Sequence, residues 1–578
     1  MSVVTALSIP DLLRDRAAQQ PNDLAYKFVD YEVDPSGFAE TLTFAQILHR
    51  AQVVAQELLR VGSPGDRVAI VAPQSMEYIV GFLGALQAGF LGVPLPAPAP
   101  GGLDERVAGA LRDSTPVAIL TTSAVVGDVV ALANSIADGS AMSVIEIDAL
   151  DFDSPLGDEP SSGAPQRVAY LQYTSGSTRS PAGVMVTHTN ALANLTQITD
   201  DYLDHLEGGA PEDGHLVSWL PLYHDMGLII GAFGPIVSGR PSVLMSPMAF
   251  LLKPARWLHQ LAMHGHALTA APNFAYELLI RRVSDQDMAG VDLSRVIGMI
   301  NGAERVHGAT VQRFNQKFGK FNLPRFAMRP SYGLAEATVY VVSSPGDRSP
   351  TVVQFDVEKL SAGHAERCEQ GGSELVGCGS ARSDAVVRVV DPETLAELPA
   401  GEVGEIWVHG DQVTAGYWHN PELTAQVFGV ELAAVASDVP RGPWLRTGDI
   451  GVIYDEELFV IGRIKDLLIV DGRNHYPDDI ETTVSAITKG RSVAVSIPAE
   501  TSEQLVVVAE VATPSHKNEM RAVKREVAAA VKKIHGVRVA DLVLVGQGSI
   551  PITSSGKVRR SSCAELHQAG EFSRVDVE

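Results

Sequence analysis

Short apolar runs alternate with amphipathic stretches through most of the first 370 residues. The runs have the length of buried strands, and the stretches between them carry apolar residues at helical spacings. The elements predicted in order are a helix, a hairpin at 24–43, a helix at 44–59, strands at 66–72 and 91–95 around a helix at 75–88, and further strands at 117–121, 143–147, 217–220, 242–245 and 296–300. Strands that recur between helices predict parallel sheets of βαβ units.

The pattern changes beyond about residue 370, where short strands joined by turns indicate a small antiparallel barrel or sheet. These strands are predicted at 386–390, 404–409, 449–454 and 458–461. The last 110 or so residues alternate again, with strands at 493–497, 504–511 and 542–545 and one long helix, Lys517–His535. Apolar positions three and four apart give that helix one packed face, formed by Met520, Val523, Val527, Val531 and Ile534.

These patterns predict an α/β protein with two domains. The larger, at 1–464, is an N-terminal domain of βαβ sheets with a β-barrel-like subdomain, and its character changes near 370. The smaller, at 465–578, is a mobile α+β cap. Charge supports a boundary at this point, because the chain is nearly neutral from 466 onward while its net charge is −24 overall.

Composition narrows the classes of function. An acidic chain with a net charge of −24 is poorly suited to bind nucleic acid or anionic lipid. Three cysteines are too few and too scattered for a disulfide framework or a zinc site. We expect a cytoplasmic protein with no stable membrane insertion, because neither a signal peptide nor an apolar run of about 18 residues is evident.

One loop has the composition of a phosphate-binding turn. The apolar run at 168–171 predicts a strand, and small or hydroxyl-bearing residues follow it: Thr174, Ser175, Gly176, Ser177 and Thr178. Backbone N–H groups and hydroxyls in such a loop can surround an anion. No Gly-Lys-Ser/Thr closes it as in a Walker A loop, and an ordinary Ser/Thr/Gly surface loop has the same composition.

A series of motifs in fixed order resembles the adenylate-forming superfamily, which includes acyl-CoA synthetases, amino-acid adenylation domains and luciferases. After the opening loop these motifs are WLPLYHDMG at 219–227, NGAE at 301–304, SYGLAE at 331–336, WLRTGD at 444–449, GRIKD at 462–466 and IPITSSGK at 550–557. Each is weak alone, but together they extend the resemblance over essentially the whole chain.

The resemblance implies that ATP and a carboxylate form an acyl-adenylate and pyrophosphate. It implies that the opening loop holds the β- and γ-phosphates, and that the adenine is flanked by Gly302, Ala303, Glu304, Tyr332 and Gly333. Glu336 matches the position that holds Mg2+ against the phosphates. Asp449 matches the acceptor of both ribose hydroxyls, with a turn aspartate as the alternative. Arg463 matches a second ribose or phosphate contact, or a surface ion pair.

Three further positions carry the chemistry that the resemblance implies. His224 would face the substrate carboxylate and the α-phosphate, although a lone histidine beside apolar residues is usually structural. Lys557 would bring a compact cation to the α-phosphate and the carboxylate; an exposed basic cluster with its neighbours is the alternative. Lys465 matches the hinge about which the small domain turns, or is an ordinary linker lysine.

Departures from the usual motifs resemble one branch, the long-chain fatty acyl-AMP ligases that supply a polyketide synthase acyl carrier. The phosphate loop continues TRSPAG at 178–183, the adenine motif ends Ala335-Glu336, and RNHYPDDIE occupies 473–481. Residues 351–368 lie where this branch has an insertion that restrains the small domain; a surface loop is the alternative. Because a lysine is replaced by Ala182, Arg179 is a candidate for the missing charge.

The predicted substrate is a fatty acid, because no charged anchor for a polar side chain or an amino group is evident. Candidates to line an acyl tunnel come from segments near His224 and Asn301, namely Leu228, Ile229, Ile230, Phe233, Pro272, Asn273, Phe274 and Tyr276. A fatty acyl-CoA synthetase is the nearest alternative function. A catalytically silent module that binds adenylate or a carrier protein is the alternative of another class.

Overall fold

Two largely parallel sheets with helices around them form the N-terminal part of the chain, as the alternation of apolar runs predicts. The computed structural model describes residues 8–98, 104–136, 142–154, 156, 167–173, 182–203, 206, 209–382, 385–433, 439–470, 473–498, 503–511, 517–552 and 557–576. Among these residues no helix has both the length and the hydropathy needed to cross a bilayer.

Strands supply most of the framework. They are β1 Leu24–Asp30, β2 Phe38–Thr43, β3 Arg67–Ala72, β4 Leu91–Pro96, β5 Ala118–Thr121, β6 Ser143–Glu146, β7 Val168–Tyr173, β8 Gly183–Thr187, β9 His215–Ser218, β10 Ser242–Leu244, β11 Ala267–Pro272, β12 Val296–Gly302, β13 Met328–Tyr332, β14 Val342–Ser343, β15 Val352–Phe355, β16 Ser373–Val376, β17 Val386–Val390, β18 Gly404–His409, β19 Leu445–Tyr454, β20 Glu457–Arg463, β21 Leu468–Val470, β22 Arg473–His475, β23 Ser492–Pro498, β24 Glu503–Val511 and β25 Val539–Gly546.

Helices connect and cover these strands. They are α1 Ile9–Gln19, α2 Phe44–Leu58, α3 Met76–Gln87, α4 Glu105–Ser114, α5 Val126–Ile136, α6 His188–Leu203, α7 Gly234–Ser238, α8 Pro247–Leu252, α9 Ala255–Met263, α10 Asn273–Arg282, α11 Gly308–Phe318, α12 Val357–Ser361, α13 Pro421–Phe428, α14 Pro477–Thr488, α15 Lys517–His535 and α16 Arg560–Ala569. Short 3-10 turns lie at Ile147–Ala149, Gly319–Phe321, Ala335–Ala337 and Ile464–Asp466, and a π-helical segment at Gly227–Phe233.

The main core lies between the two sheets. One sheet has the strand order β14-β13-β12-β11-β9-β10-β1-β2, and the other has β6-β5-β3-β4-β7-β8. A triangle of rings links them: Phe82 of α3, Tyr170 of β7 and Phe233 of the π-helical segment have centroids 5.8 to 6.1 Å apart. The almost wholly apolar helix α3 is buried along its length, which explains why its sequence lacks a polar face.

The later strands are antiparallel, as predicted for this part of the chain. Strands β17, β18, β19 and β20 form one four-stranded sheet in chain order, and β15 pairs with β16. The C-terminal sheet has the order β23-β24-β25, with β24 and β25 parallel. The predicted fold class, a large sheet-based part and a smaller α+β part, is confirmed. The boundary at 465 stays a prediction.

The packed face of α15 is narrower than the spacing of its apolar residues predicts. Met520, Val527 and Val531 are buried, but Ile534 is 43% exposed. His535 is buried in its place and hydrogen-bonds Thr483 Oγ1 through Nε2 at 2.7 Å. The prediction for Ile534 is wrong because His535, the next residue, takes the buried place at the last turn of α15 through its contact with Thr483.

The carboxyl ends of β9, β11, β12 and β13 meet at one edge of the larger sheet, because these four strands are parallel neighbours. Loops and helix starts that follow parallel strands form the usual site of such sheets. The segments that follow these strands here carry several of the residues predicted to act on a substrate, including His224 and Glu304. The fold therefore brings together motifs that are far apart in the sequence.

Candidate active site

A cavity lies at this edge, between the segments predicted to flank adenine. Its lining includes Gly302, Ala303, Tyr332 and Gly333. A Cβ at position 302 would lie 2.9 Å from Ser331 O, and one at position 333 would lie 1.8 Å from Val339 O. Glycine is therefore required at both positions for the backbones to approach this closely. The structure brings these four predicted residues together.

Asp449 is a buried carboxylate held from two sides at the wall of this region. The Tyr332 hydroxyl donates to its Oδ2 at 2.8 Å, and Arg463 Nε lies 3.1 Å from its Oδ1. Antiparallel pairing of β19 with β20 sets Asp449 directly opposite Arg463. Burial raises the pKa of Asp449, while Arg463 and the tyrosine hydrogen bond lower it. These contacts fix the carboxylate in one orientation.

Glu336 lies in the 3-10 turn after β13 and is oriented by a residue that sequence patterns do not single out. The Tyr417 hydroxyl donates to its Oε1 at 2.8 Å, and Thr414 N donates to its backbone oxygen at 3.0 Å. Burial raises the pKa of Glu336, which the tyrosine hydrogen bond and Arg463 partly offset. Tyr417 comes from a loop more than 80 residues away, so only the fold could identify it.

Glu304 follows the end of β12, and its side chain reaches the N-terminus of α10. Its Oε1 accepts a hydrogen bond from Phe274 N at 2.5 Å. A carboxylate is favoured at the positive end of a helix. Burial raises the pKa of Glu304, whereas that hydrogen bond and the positive charge of Lys557 lower it. Glu304 thus belongs to the same electrostatic cluster as Lys557.

His224 follows β9 at the same edge and carries an unsatisfied ring nitrogen. Its Nε2 is buried and has no hydrogen-bond partner among the described residues. Burial, together with the charges of Lys557 and Arg106, lowers its pKa to about 4. The imidazole is therefore neutral near neutral pH. Its neighbour Asp225 lines the cavity between the predicted adenine-flanking segments, and burial raises the pKa of that carboxyl.

Lys557 comes from the C-terminal part of the chain, yet it lies within electrostatic reach of the edge of the large sheet. Burial and the charge of Arg463 lower its pKa, and Asp225, Glu304 and Asp449 raise it. These three carboxylates belong to the N-terminal part, and each sits beside the predicted nucleotide pocket. The structure therefore brings Lys557 to His224 and Asp449, which are separated from it by more than 100 residues of sequence.

Lys465 lies in the 3-10 turn Ile464–Asp466 that follows β20. Burial and the neighbouring Arg463 lower its pKa, and Asp466, Asp449 and Glu336 oppose that shift. Its charge therefore acts on two predicted nucleotide-binding residues. The predicted phosphate loop, at Thr174, Ser175, Gly176, Ser177 and Thr178, lies outside the described residues, as does Arg179; the strands that flank it, β7 and β8, form an antiparallel pair.

The predicted tunnel residues divide into two groups. Ile230 lines the adenine-side cavity and also a second cavity beside it. Leu228, Ile229, Phe233 and Tyr276 belong, like Ile230, to the packed core, but they are not in the lining of either cavity. Segment proximity alone could not separate the two groups, since all these residues are apolar and near His224 or Asn301.

Comparison with known proteins assigns this fold and site to a class. Residues 13–418 match the AMP-binding enzyme family, and residues 465–576 match the AMP domain of Disco-interacting protein 2-like proteins. Because the first match covers well over half of the chain, the protein belongs to the AMP-binding, adenylate-forming enzymes.

Full-length relatives give the branch. The chain is 55% identical, over 99% of both sequences, to the long-chain-fatty-acid–AMP ligase FadD26 of Mycobacterium bovis. It is 52% identical to a 4-hydroxyphenylalkanoate adenylyltransferase of Mycobacterium tuberculosis, over 99% of this chain and 93% of the relative. A structure from a study of fatty acyl-adenylate ligases from E. coli and L. pneumophila matches 99% of both chains with a TM-score of 0.84 and 30% identity. The chain is a member of the fatty-acid–AMP ligase family.

Proposed function

We propose that this enzyme joins a long-chain fatty acid to AMP and passes the acyl group to the thiol of a carrier protein of a polyketide synthase. The observation that carries this proposal is the junction of two cavities. The cavity lined by the adenine motifs shares Ile198, Ile230 and Ile300 with a second cavity. An apolar space thus lies directly beside the proposed nucleotide site.

The second cavity has the largely apolar lining that an acyl chain needs. It is lined by residues of α6, the π-helical segment, α7 and the larger sheet, and most of these residues are apolar. Along β12, the second cavity begins near Ile297, and the cavity lined by the adenine motifs ends at Gly302. The two cavities together therefore extend along about five residues of strand, which span about 17 Å. The carboxylate of a fatty acid would lie at the carboxyl ends of the strands, and its tail would follow them toward their amino ends.

The charges around Lys557 suit attack by a carboxylate on the α-phosphorus of ATP. A substrate oxygen forms the new P–O bond, the bond to the β-phosphate breaks, and pyrophosphate leaves. Negative charge accumulates on the oxygens between them, so a cation placed there lowers the barrier. Lys557 supplies this cation, and the buried Nε2 of neutral His224 is available to orient the carboxylate or a phosphate oxygen.

The nucleotide is held by the residues described above. Asp449 would accept from both ribose hydroxyls, since Tyr332 and Arg463 already fix its orientation. Glu336 offers a buried carboxylate that suits Mg2+, and no group of three or more His, Cys, Asp or Glu side chains is close enough to hold a metal within the described ranges. A Mg2+ at Glu336 would be held by this carboxylate and the phosphates, and it would offset phosphate charge. Arg179 and the loop at 174–178 stay candidates for the terminal phosphates.

Contacts between the two parts of the chain support transfer to a carrier protein rather than to coenzyme A. The Ser373 hydroxyl donates to Asp479 Oδ2 at 2.7 Å, and Arg305 forms a 2.7 Å ion pair with Asp479 Oδ1. In the segment 351–368, Leu360 O accepts from the Tyr476 hydroxyl at 3.4 Å. This segment therefore packs against the C-terminal part, which supports its assignment as the restraining insertion.

Lys465 would be the hinge about which the C-terminal part turns.

The products distinguish this proposal from its alternatives. The enzyme is incubated with ATP, Mg2+ and labelled palmitic acid, alone, with coenzyme A, or with a phosphopantetheinylated carrier protein, and products are identified by mass spectrometry. We expect acyl-AMP in all three, an acyl-carrier thioester in the third, and little acyl-CoA. Abundant acyl-CoA would identify an acyl-CoA synthetase instead, and absence of acyl-AMP throughout would identify a silent binding module.

The lowered pKa of Lys557 predicts the pH dependence of adenylation. The charged form is the active one, so activity is lost as pH rises through this pKa, which lies below the usual 10.5 of a lysine. We expect kcat at saturating ATP and fatty acid to fall on the alkaline side accordingly. His224, with a pKa of about 4, should add no acid limb near neutrality.

The control for this pH profile is Lys557→Arg. Its residual activity should show no alkaline limb, because arginine stays protonated over the whole range. An identical alkaline limb in the arginine variant would assign the titration to another group and contradict the role of Lys557.

A further inference from the structure

The far end of the apolar cavity is not apolar. Most of its lining is aliphatic, but His215, Ser238 and Arg240 line it as well. His215 begins β9, and Arg240 lies just before β10, so both sit at the amino ends of strands whose carboxyl ends face the nucleotide site. An acyl chain that enters from the nucleotide side would approach these groups with its terminus.

Arg240 carries a buried donor with no partner. Its Nε has no hydrogen bond within the described part of the chain, and its Nη2 donates to Ala210 O over a long 3.5 Å. The nearby Ser238 hydroxyl is not bonded to Arg240 Nε; it donates to Gly234 O and accepts from the Arg240 backbone N–H. Buried donors are nearly always paired in native proteins, so this one points to a ligand oxygen.

His215 complements this donor with an acceptor. Its Nδ1 lies 2.8 Å from Asp213 O, and a carbonyl oxygen only accepts, so Nδ1 carries the proton. Burial lowers the pKa of His215, which favours the neutral ring. Nε2 therefore keeps a lone pair. One donor and one acceptor at the same end of a cavity match a hydroxyl group, which can accept from the first and donate to the second.

We propose that this end of the cavity is a polar subsite for an oxygen substituent at the far end of the acyl chain, and that Arg240 donates to it. The preferred substrate is then a long-chain acid with a terminal or near-terminal hydroxyl. This inference rests on the proposed function, because it assumes that the acyl chain occupies the cavity. An unsubstituted chain would leave Arg240 Nε to a trapped water or unpaired.

The test compares unsubstituted long-chain fatty acids with their ω-hydroxy analogues over a series of chain lengths. Fatty-acid-dependent pyrophosphate exchange gives kcat/KM for each acid. We expect the ω-hydroxy acid to be preferred about tenfold at the length that reaches Arg240, and little at shorter lengths. Absence of a preference at every length would overturn the subsite. Failure of all acids would instead reject the proposed function.

The variant Arg240→Met assigns the preference to one side chain. It keeps the length of the aliphatic stem, and it removes a charge that lowers the pKa of the neighbouring Arg16, so we expect it to fold. The tenfold preference should vanish while kcat/KM for the unsubstituted acid stays within about twofold. Arg525→Met is the matched control, since Arg525 is an exposed arginine on α15 that does not line the cavity.

Two outcomes would count against Arg240. Retention of the preference in Arg240→Met would place recognition elsewhere, and equal losses for both acids would indicate a structural role. Thermal melting of each variant checks the fold. If Arg240→Met does not fold, the wild-type preference as a function of chain length still decides the proposal.

Discussion

Replacing Lys557 by alanine is expected to slow acyl-adenylate formation by about a hundredfold to a thousandfold. The lysine is the cation that the C-terminal part brings to the cluster of Asp225, Glu304 and Asp449. In the proposed reaction its charge acts on the transition state, where negative charge builds on the bridging oxygens, and less on ATP in the ground state. The single-turnover rate of adenylation should therefore fall much more than the affinity for ATP measured by calorimetry.

The control for this variant is Lys532→Ala. Lys532 is an exposed lysine on α15 in the same part of the chain, so its removal changes net charge equally without touching the pocket. We expect it to retain wild-type rates. Adenylation by Lys557→Ala within about threefold of wild type would remove the catalytic role assigned to Lys557.

The second large effect is expected for Asp449→Asn. This change keeps the size of the side chain but removes the charge and replaces one acceptor by a donor, which would face a ribose hydroxyl, Tyr332 or Arg463. Hydrogen bonds to a charged group contribute about 1.5–3 kcal/mol each, so loss of the ribose contacts should raise KM for ATP about thirtyfold or more. The KM for the fatty acid should change little, because the Asp449 side chain lies on the nucleotide side of the site and not beside the acyl chain.

Tyr332→Phe separates the ribose contact from the orientation of the carboxylate. It removes the 2.8 Å hydrogen bond to Asp449 Oδ2 but leaves the carboxylate and its pairing with Arg463. We expect only a few-fold rise in KM for ATP.

An unchanged KM for ATP in Asp449→Asn, with an unchanged melting temperature, would mean that the ribose lies elsewhere.

Local sequence patterns predicted those parts of the fold whose signal is local. The bounds of β17, β18 and α15 agree with their predicted ranges, since each is a run with a clear period. The strand β11 was not predicted. Its residues, Ala267–Pro272, are mostly alanine and threonine and gain their burial from neighbours on both sides, so tertiary packing outweighs weak β-propensity.

The helices α4, α14 and α16 were also not predicted. Each is short and largely polar, so its stability comes from packing that a single window of sequence cannot display. The two of these helices that lie in the C-terminal part, α14 and α16, form ion pairs with each other, and α14 also pairs with the N-terminal part. Arg560 of α16 pairs with Asp478 and Glu481 of α14, and Asp479 of α14 meets Arg305.

The motifs gave the chemistry of the site but not its geometry. Tyr332 and Asp449 were each predicted to bind the nucleotide, whereas their mutual hydrogen bond was not, because no pattern joins residues from β13 and β19. Tyr417 and Arg240 were missed for the same reason. The Tyr417 hydroxyl is important because it bonds Glu336, and Arg240 Nε because it is buried without a hydrogen-bond partner among the described residues; both facts depend on the folded structure.

A crystal structure with a non-hydrolysable long-chain acyl-adenylate mimic tests most directly whether the two parts of the chain close over one activated carboxylate. We predict the adenine between the Gly302 segment and Tyr332, the ribose hydroxyls on Asp449, the tail past Ile230 into the apolar cavity, and Lys557 Nζ within about 3 Å of an oxygen of the phosphate mimic. A mimic that leaves Asp449 without a ribose contact, or that is bound with Lys557 far from the acyl-phosphate group, would contradict the account.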